Sequence, residues 1–276
     1  MNNTNLAILG GGNMGRALLG GLLRRGSRPE QIRVGEPLEA TRAVVERDFG
    51  ITALPDNLQA ADGAALIVLA VKPQDARAVL APLAGMLRAR RPVVLSIAAG
   101  LRIAALQRWC GTHVPVLRAM PNRPALVGAG ATGLFAPGHI EAAHRLAAER
   151  VMSAVGEVVW VQTEDALDVV TALSGSGPAY FFLVAELMAR AGVQMGLERE
   201  AARRLAVATL HGAGLLAQGS DGELERLRAE VTSRGGTTEA ALRALDAAGL
   251  PAIIATALEA AAARSRELGV LLGAQP

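Results

Sequence analysis

The stretch LAILGGGNMGRALLGGLLRRG, residues 6–26, decides the fold. Four apolar residues suited to a buried strand run straight into Gly10, Gly12 and Gly15, a G-x-G-x-x-G spacing, and an Ala- and Leu-rich helical run follows at once. At such a junction the first glycine permits a tight turn. The second lets backbone N–H groups approach a pyrophosphate, and the third lets helix and strand pack closely. Glycine-rich turns also recur for structural reasons alone. This one stands after a first strand, and a second strand ends about twenty residues later, which is the context that dinucleotide binding requires.

From Asn5 to about Val161 the same alternation continues, with LAILG, QIRVG, ALIVLAV, PVVLSIAAG, VPVLRAM and EVVWV separated by helical stretches. Short buried strands alternating with helices predict an α/β, Rossmann-like domain with a mostly parallel sheet over residues 1–162. After Thr163 the strand signals stop. Helical runs punctuated by SGSGP, MGL, GSDGE, SRGGTT and GLP predict an all-α domain over residues 163–276.

A chain of 276 residues can bury a substantial core in two domains. Its longest purely apolar runs fall short of the roughly 18 residues of a membrane span, and MNNTNLAILG lacks the flank and cleavage pattern of a signal peptide. The expectation is a soluble, cytoplasmic protein with no membrane partner. Cys110 is the only cysteine, which rules out an intrachain disulfide and a cysteine metal cluster and reads as a small buried hydrophobe; no metal site is expected. Net charge is +3, with Arg and Glu interspersed rather than gathered into a basic stripe, so nucleic acid is not an expected partner.

Several further positions carry chemistry. Glu36 ends the second strand, where an acid accepts hydrogen bonds from an adenosine ribose and repels a 2'-phosphate; Arg42, a few residues on, is a candidate phosphate partner, and Glu36 also reads as a solvated turn residue. The choice between NADH and NADPH stays open on these residues. Asn57 lies on a loop of the same sheet edge and suits a ribose, though Asp56 and Asn57 are also ordinary helix caps. AVKPQ closes the ALIVLAV strand at the carboxyl edge, and Lys72 within it is the only lysine of the chain, ahead of Pro73. SIAAG, with Ala98, and RAMPNRP end later strands in small residues beside which a flat nicotinamide fits.

In the helical half, Pro178 of ALSGSGPAYFF marks a helix start. VTSRGGTTEA, residues 231–240, marks another, where glycine N–H groups and threonine hydroxyls ahead of a helix make an anion cradle or a plain N-cap.

With GGGNMG, AVKPQ, SIAAG, RAMPNRP, ALSGSGPAY and VTSRGGTTEAALRALD in this order over nearly its whole length, the chain resembles the pyrroline-5-carboxylate reductase family. The resemblance implies NAD(P)H as cofactor and hydride transfer to C5 of the cyclic imine 1-pyrroline-5-carboxylate, giving L-proline. It implies that Gly10, Gly12, Asn13, Met14 and Gly15 hold the pyrophosphate region, Asn57 the adenosine ribose, and Ala70, Lys72, Pro73 and Ala98 the rest of the cofactor. It implies that Ser233, Gly236, Thr237 and Thr238 hold the substrate carboxylate, with Thr238 catalytic and Glu164 near the ring nitrogen. It implies a homodimer, assembled further in some members to a decamer of five dimers. Arg234 stands where the family's usual pattern has proline.

A beta-hydroxyacid dehydrogenase shares the two-domain plan, but those enzymes resemble one another in using a lysine of the C-terminal domain as acid and base, and no lysine follows Lys72. A non-catalytic nucleotide sensor would have no use for a substrate cradle. The histidines His113, His139, His144 and His211 lie outside the motifs and read as structural or surface residues.

Overall fold

The computed structural model of the chain describes residues 6–220 and 222–274. Asn5, with which the expected α/β half opens, and Asp221 of the GSDGE turn lie outside the described residues. The chain divides into two compact units, one running to Ser176 and resuming at Ala261, the other Gly177–Ala260. The last strand ends at Trp160, so the sequence boundary at 162/163 marks a change of element type, and compactness divides the chain further on.

The first unit contains β1 (Leu6–Leu9), β2 (Ile32–Gly35), β3 (Thr52–Leu54), β4 (Leu66–Leu69), β5 (Val93–Ser96), β6 (Val116–Met120), β7 (Gly130–Phe135) and β8 (Gly156–Trp160). Its helices are α1 (Asn13–Arg24), α2 (Glu39–Phe49), α3 (Asn57–Ala61), α4 (Ala76–Leu80), α5 (Ala84–Arg90), α6 (Ile103–Cys110), α7 (Ala142–Ser153) and α8 (Ala166–Val170). The strands form one sheet in the order β3-β2-β1-β4-β5-β6-β7-β8. Pairing is parallel from β3 to β6; β7 runs antiparallel to β6 and β8 parallel to β7.

Both faces of the sheet are covered, which is why its strands read as unbroken apolar runs. Side chains alternate across β1: Leu6 and Ile8 join one core with Leu18, Leu19 and Leu22 of α1, and Ala7 and Leu9 join the other with Leu80 and Leu87. Two strands were absent from the sequence reading. β3 is only three residues long, and β7, GATGLF, carries two glycines where a strand signal needs β-branched or aromatic side chains. Tertiary pairing alone makes them strands.

After α8 the backbone widens into a π turn over Thr171–Gly175, Ser176 closes it, and α9 (Gly177–Gln194) begins with Pro178 as its second residue. The remaining helices are α10 (Arg199–Gln218), α11 (Leu224–Glu230), α12 (Thr237–Ala247) and α13 (Leu250–Gly273). The stretch Ala166–Gln194 is long and apolar enough, by length and composition alone, to cross a membrane. Phe181 and Phe182 of α9 are each 62% exposed in the single chain, amid exposed leucines and valines of α9 and α10.

From Ala261 onward α13 belongs to the first unit, and a polar cluster ties it there. Asp168, 2% exposed, accepts from Ser265 Oγ at 2.6 Å and from Arg102 Nη2 at 2.7 Å. Arg102 Nη1 donates to Asp165 at 2.5 Å, and Arg108 donates to Gly273 O. Removing one partner of such a buried pair strands the other's charge, so Asp168→Ala should lower the free energy of unfolding by ~3 kcal/mol, read by chemical denaturation. Ser265→Ala, which removes one neutral donor, should cost only about 1 kcal/mol.

Candidate active site

The expected cofactor residues fall along one edge of the first unit's sheet. They occupy the loops after β3, β2, β1, β4 and β5, in that spatial order: Asn57, Glu36, Gly10 to Gly15, Ala70 to Pro73, and Ala98. Ligands of open α/β sheets bind at this carboxyl edge.

Gly10 has φ +112, and a Cβ there would stand 2.4 Å from Ala70 O; a Cβ on Gly15 would stand 2.2 Å from Gly10 O. Gly12, the N-cap of α1, has nothing within 4 Å of a would-be Cβ and no side-chain cap. The first N–H groups of a twelve-residue helix therefore open onto free space, the donor set and dipole end that a pyrophosphate needs. Asn13 is exposed and accepts from Arg16 Nη2 at 2.8 Å, and Met14 packs against the core beneath the loop. Asn57 Oδ1 is buried without a hydrogen-bond partner and lies against Gly35, where a Cβ would stand 2.2 Å from it. Lys72 is exposed at the N-cap of the turn Pro73–Asp75. Ala98 is buried and its N–H donates to Ser96 Oγ at 3.3 Å. These features fit a bound dinucleotide.

Glu36 is tied down. Its Oε2 accepts from Gly11 N at 2.8 Å and its Oε1 from Leu38 N at 3.0 Å. It is no solvated turn residue, being 7% exposed.

Glu164 is bonded within the fold. Its Oε1 accepts from Ile103 N at 2.7 Å and from Arg118 Nη1 at 2.9 Å, so the carboxylate neutralises a buried arginine. Burial pulls the Arg118 guanidinium below its ordinary value, and the bond to Glu164 opposes that shift. Asn122, in RAMPNRP, donates to Ser174 O at 3.0 Å and accepts from Ala131 N at 2.8 Å, joining the strand end to the π turn of the SGSGP motif. The sequence reading missed Arg118, Asn122 and this junction. Asn122 lies inside a motif that was singled out; nothing in the sequence shows that its amide bridges two segments so far apart.

In the second unit, α12 starts at Thr237 with Gly236 as an N-cap that carries no side-chain bond. Gly235 has φ +73, a conformation that only glycine adopts freely. The cradle differs in one respect from the expectation. Gly236 N donates to Ser233 O at 3.0 Å and Gly235 N to Glu239 Oε2 at 2.5 Å, because the turn closes on itself before the helix begins. The free donors are the N–H groups of the first helical turn, Thr237 onward, with the hydroxyls of Thr237, Thr238 and Ser233 beside them. Arg234 is exposed.

Cys110 is buried, and burial pushes its thiol up to about 11, which matches a packed hydrophobe and not a nucleophile. His113, His139 and His144 line a depression with Arg91 and Glu141 at the opposite, amino edge of the sheet, and His211 is exposed on α10. Among the described residues no three His, Cys, Asp or Glu side chains are placed so that they could hold a metal ion together.

Residues 164–268 match the family described as pyrroline-5-carboxylate reductase dimerisation, and residues 5–100 match NADP oxidoreductase coenzyme F420-dependent. A pyrroline-5-carboxylate reductase of Pseudomonas aeruginosa is 44% identical over 273 residues, covering 99% of this chain and 100% of the relative. A solved pyrroline-5-carboxylate reductase of Coxiella burnetii superposes with a TM-score of 0.93 at 39% identity, over 97% of this chain and 99% of that one. The Plasmodium falciparum pyrroline carboxylate reductase with NADP bound gives 0.81 at 28% identity, over 98% and 99%.

With its thiol at about 11 rather than the ordinary 9.0, Cys110 favours the folded state most fully below pH 9, and that contribution fades as pH rises towards 11. The native protein should not react with a disulfide reagent at pH 8, and one thiol should appear on unfolding.

Proposed function

The chain belongs to the pyrroline-5-carboxylate reductase family, and on that premise we infer that it reduces 1-pyrroline-5-carboxylate to L-proline with NAD(P)H. The observation that carries the site assignment is the uncapped N-terminus of α12, where Gly236 offers no side chain and two threonines follow.

The reduced nicotinamide, when bound, supplies the hydride that saturates the C=N bond. The residues of the chain bind, orient and balance charge. Gly10, Gly12, Asn13, Met14 and Gly15 take the pyrophosphate on the N–H groups at the start of α1, and Asn57 stands at the adenosine ribose. Lys72 supplies a cation at the carboxyl edge, and Ala70, Pro73 and Ala98 leave room for the flat ring.

At α12 the N–H groups of Thr237 and Thr238, with the Ser233 and Thr238 hydroxyls, take the substrate carboxylate, and the loop glycine Gly236 keeps the approach open. Thr238 Oγ1, donor and acceptor at once, orients the ring. An imine nitrogen is basic enough to arrive protonated, so positioning and fixed dipoles suffice and no strong acid is required. The engagement of Glu164 with Arg118 agrees with that economy. Reduction of a carbonyl would need a proton donor in the transition state, and the helical half contains no lysine to serve.

The match to a dimerisation family supports a homo-oligomer. The groove between α9 and α10 is lined by Phe182, Ala189, Val193, Ala206, Val207 and Leu210, with Glu186, Arg190, Arg199 and Arg203 also in its lining, and we assign this largely apolar surface to the homodimer contact. The same contact accounts for the apolar length of Ala166–Gln194 without a membrane. A decamer of five dimers and a cytoplasmic site complete the reading.

Parallel assays with NADH and NADPH on pyrroline-5-carboxylate test the activity; a folded protein that consumes neither cofactor would overturn it. Thr238→Ala should lower kcat/KM for the imine about 10- to 100-fold, ~1.4–2.8 kcal/mol of transition-state stabilisation, with cofactor affinity unchanged. Unaltered kinetics would remove Thr238 from the site. Lys72→Ala should weaken cofactor binding several-fold without shifting Tm, because the residue is exposed and supports no core.

A further inference from the structure

We propose that Glu36 makes this enzyme select NADH over NADPH. The proposal rests on the reading that the glycine loop of the first unit holds a nicotinamide dinucleotide. Sequence alone sets Glu36 against Arg42, an acid that would repel a 2'-phosphate against a cation that would bind one. The structure weakens the second candidate. Arg42 Nη1 donates to Glu36 O at 3.0 Å and to Pro37 O at 2.7 Å, which holds that end of the guanidinium against the turn between β2 and α2.

Glu36 is fixed in the opposite sense. Gly11 N and Leu38 N hold its two oxygens beside the glycine loop, and each oxygen keeps a further lone pair for a ribose hydroxyl. A 2'-phosphate at the same place meets a carboxylate that cannot swing away without giving up both backbone bonds.

The residues between β2 and α2 do little to compensate that phosphate. Pro37 has no N–H, the N–H of Leu38 is taken by Glu36, the Leu38 side chain is apolar, and Glu39 adds a second carboxylate in the first turn of α2. The other cations of these elements have partners: Arg33 donates to Gln59 O and Asp62 O, and Arg47 to Asp48. On the neighbouring α1, Arg16 donates to Asn13. A hydroxyl is thus welcomed where a phosphate is opposed by the like charge of Glu36 and Glu39.

The test is a fluorescence titration of the purified protein with NADH and with NADPH, without substrate, followed by steady-state rates with each. NADH should bind at least about tenfold more tightly, the ratio that ~1.4 kcal/mol of differential repulsion gives. Leu38→Arg, at a side chain 65% exposed that leaves the backbone bond to Glu36 in place, should narrow the ratio by tightening NADPH alone. Glu36→Ser should narrow it further. A residue that merely braces Gly11 would instead weaken both cofactors equally on substitution, and that result overturns the proposal. Equal or tighter NADPH binding by the unaltered protein overturns it as well. If neither cofactor binds the folded protein, the dinucleotide reading falls together with the preference; if both bind but pyrroline-5-carboxylate is not reduced, only the reductase reading falls and the affinity ratio still decides the preference.

Discussion

The close approach of backbone to backbone where β1 meets α1 is the constraint from which the cofactor edge follows. With a side chain at Gly15 or Gly10, atoms would stand 2.2–2.4 Å from the carbonyls of Gly10 and Ala70, distances no packing adjustment absorbs. Hydrogen at those positions lets the end of β1, the start of α1 and the end of β4 meet at one point. The helix dipole and free N–H groups of α1 then face the sheet edge, and Gly11 N comes within reach of Glu36. One steric allowance fixes the anion site and the acid beside it together.

A second set of interactions positions the helices that follow the sheet. Arg102, Asp165, Asp168 and Ser265 join the loop after β5, the start of α8 and the last part of α13, while Arg118 and Glu164 join β6 to the turn before α8. Burying such charges costs free energy, and an apolar cluster of equal volume would stabilise as well or better. Directionality is the gain: Asp168 accepts two bonds from two elements in one arrangement only, so α13 has a single seat. Asn122, holding Ser174 O and Ala131 N, does the same for the π turn.

Both candidate binding sites rely on backbone donors at helix starts instead of titrating side chains. A fixed N–H group costs no reorganisation when an anion arrives. Chemistry that moves a hydride to an already charged imine asks for little more, which agrees with Glu164 and Cys110 being taken up by the fold. Arg234 in place of a proline leaves the turn intact, because Gly235 supplies the left-handed residue and Ser233 O closes the loop on Gly236.

The sequence by itself determined the α/β-then-α order of elements, the glycine loop, the carboxyl-edge residues and the helix start at α12, since each depends on side-chain periodicity or on glycine within a short window. It missed β3 and β7, which are strands only because neighbours pair with them. It left Glu36 and Arg42 undecided and did not foresee the bond of Glu164 to Arg118, because a charged side chain takes whichever partner the fold brings near, and Gly11 and Arg118 are brought there by elements distant in the chain. It also counted Gly236 N among the free donors, when the turn spends it on Ser233 O. Local pattern decides which backbone can form; only tertiary contact decides which polar atoms remain free to bind a ligand.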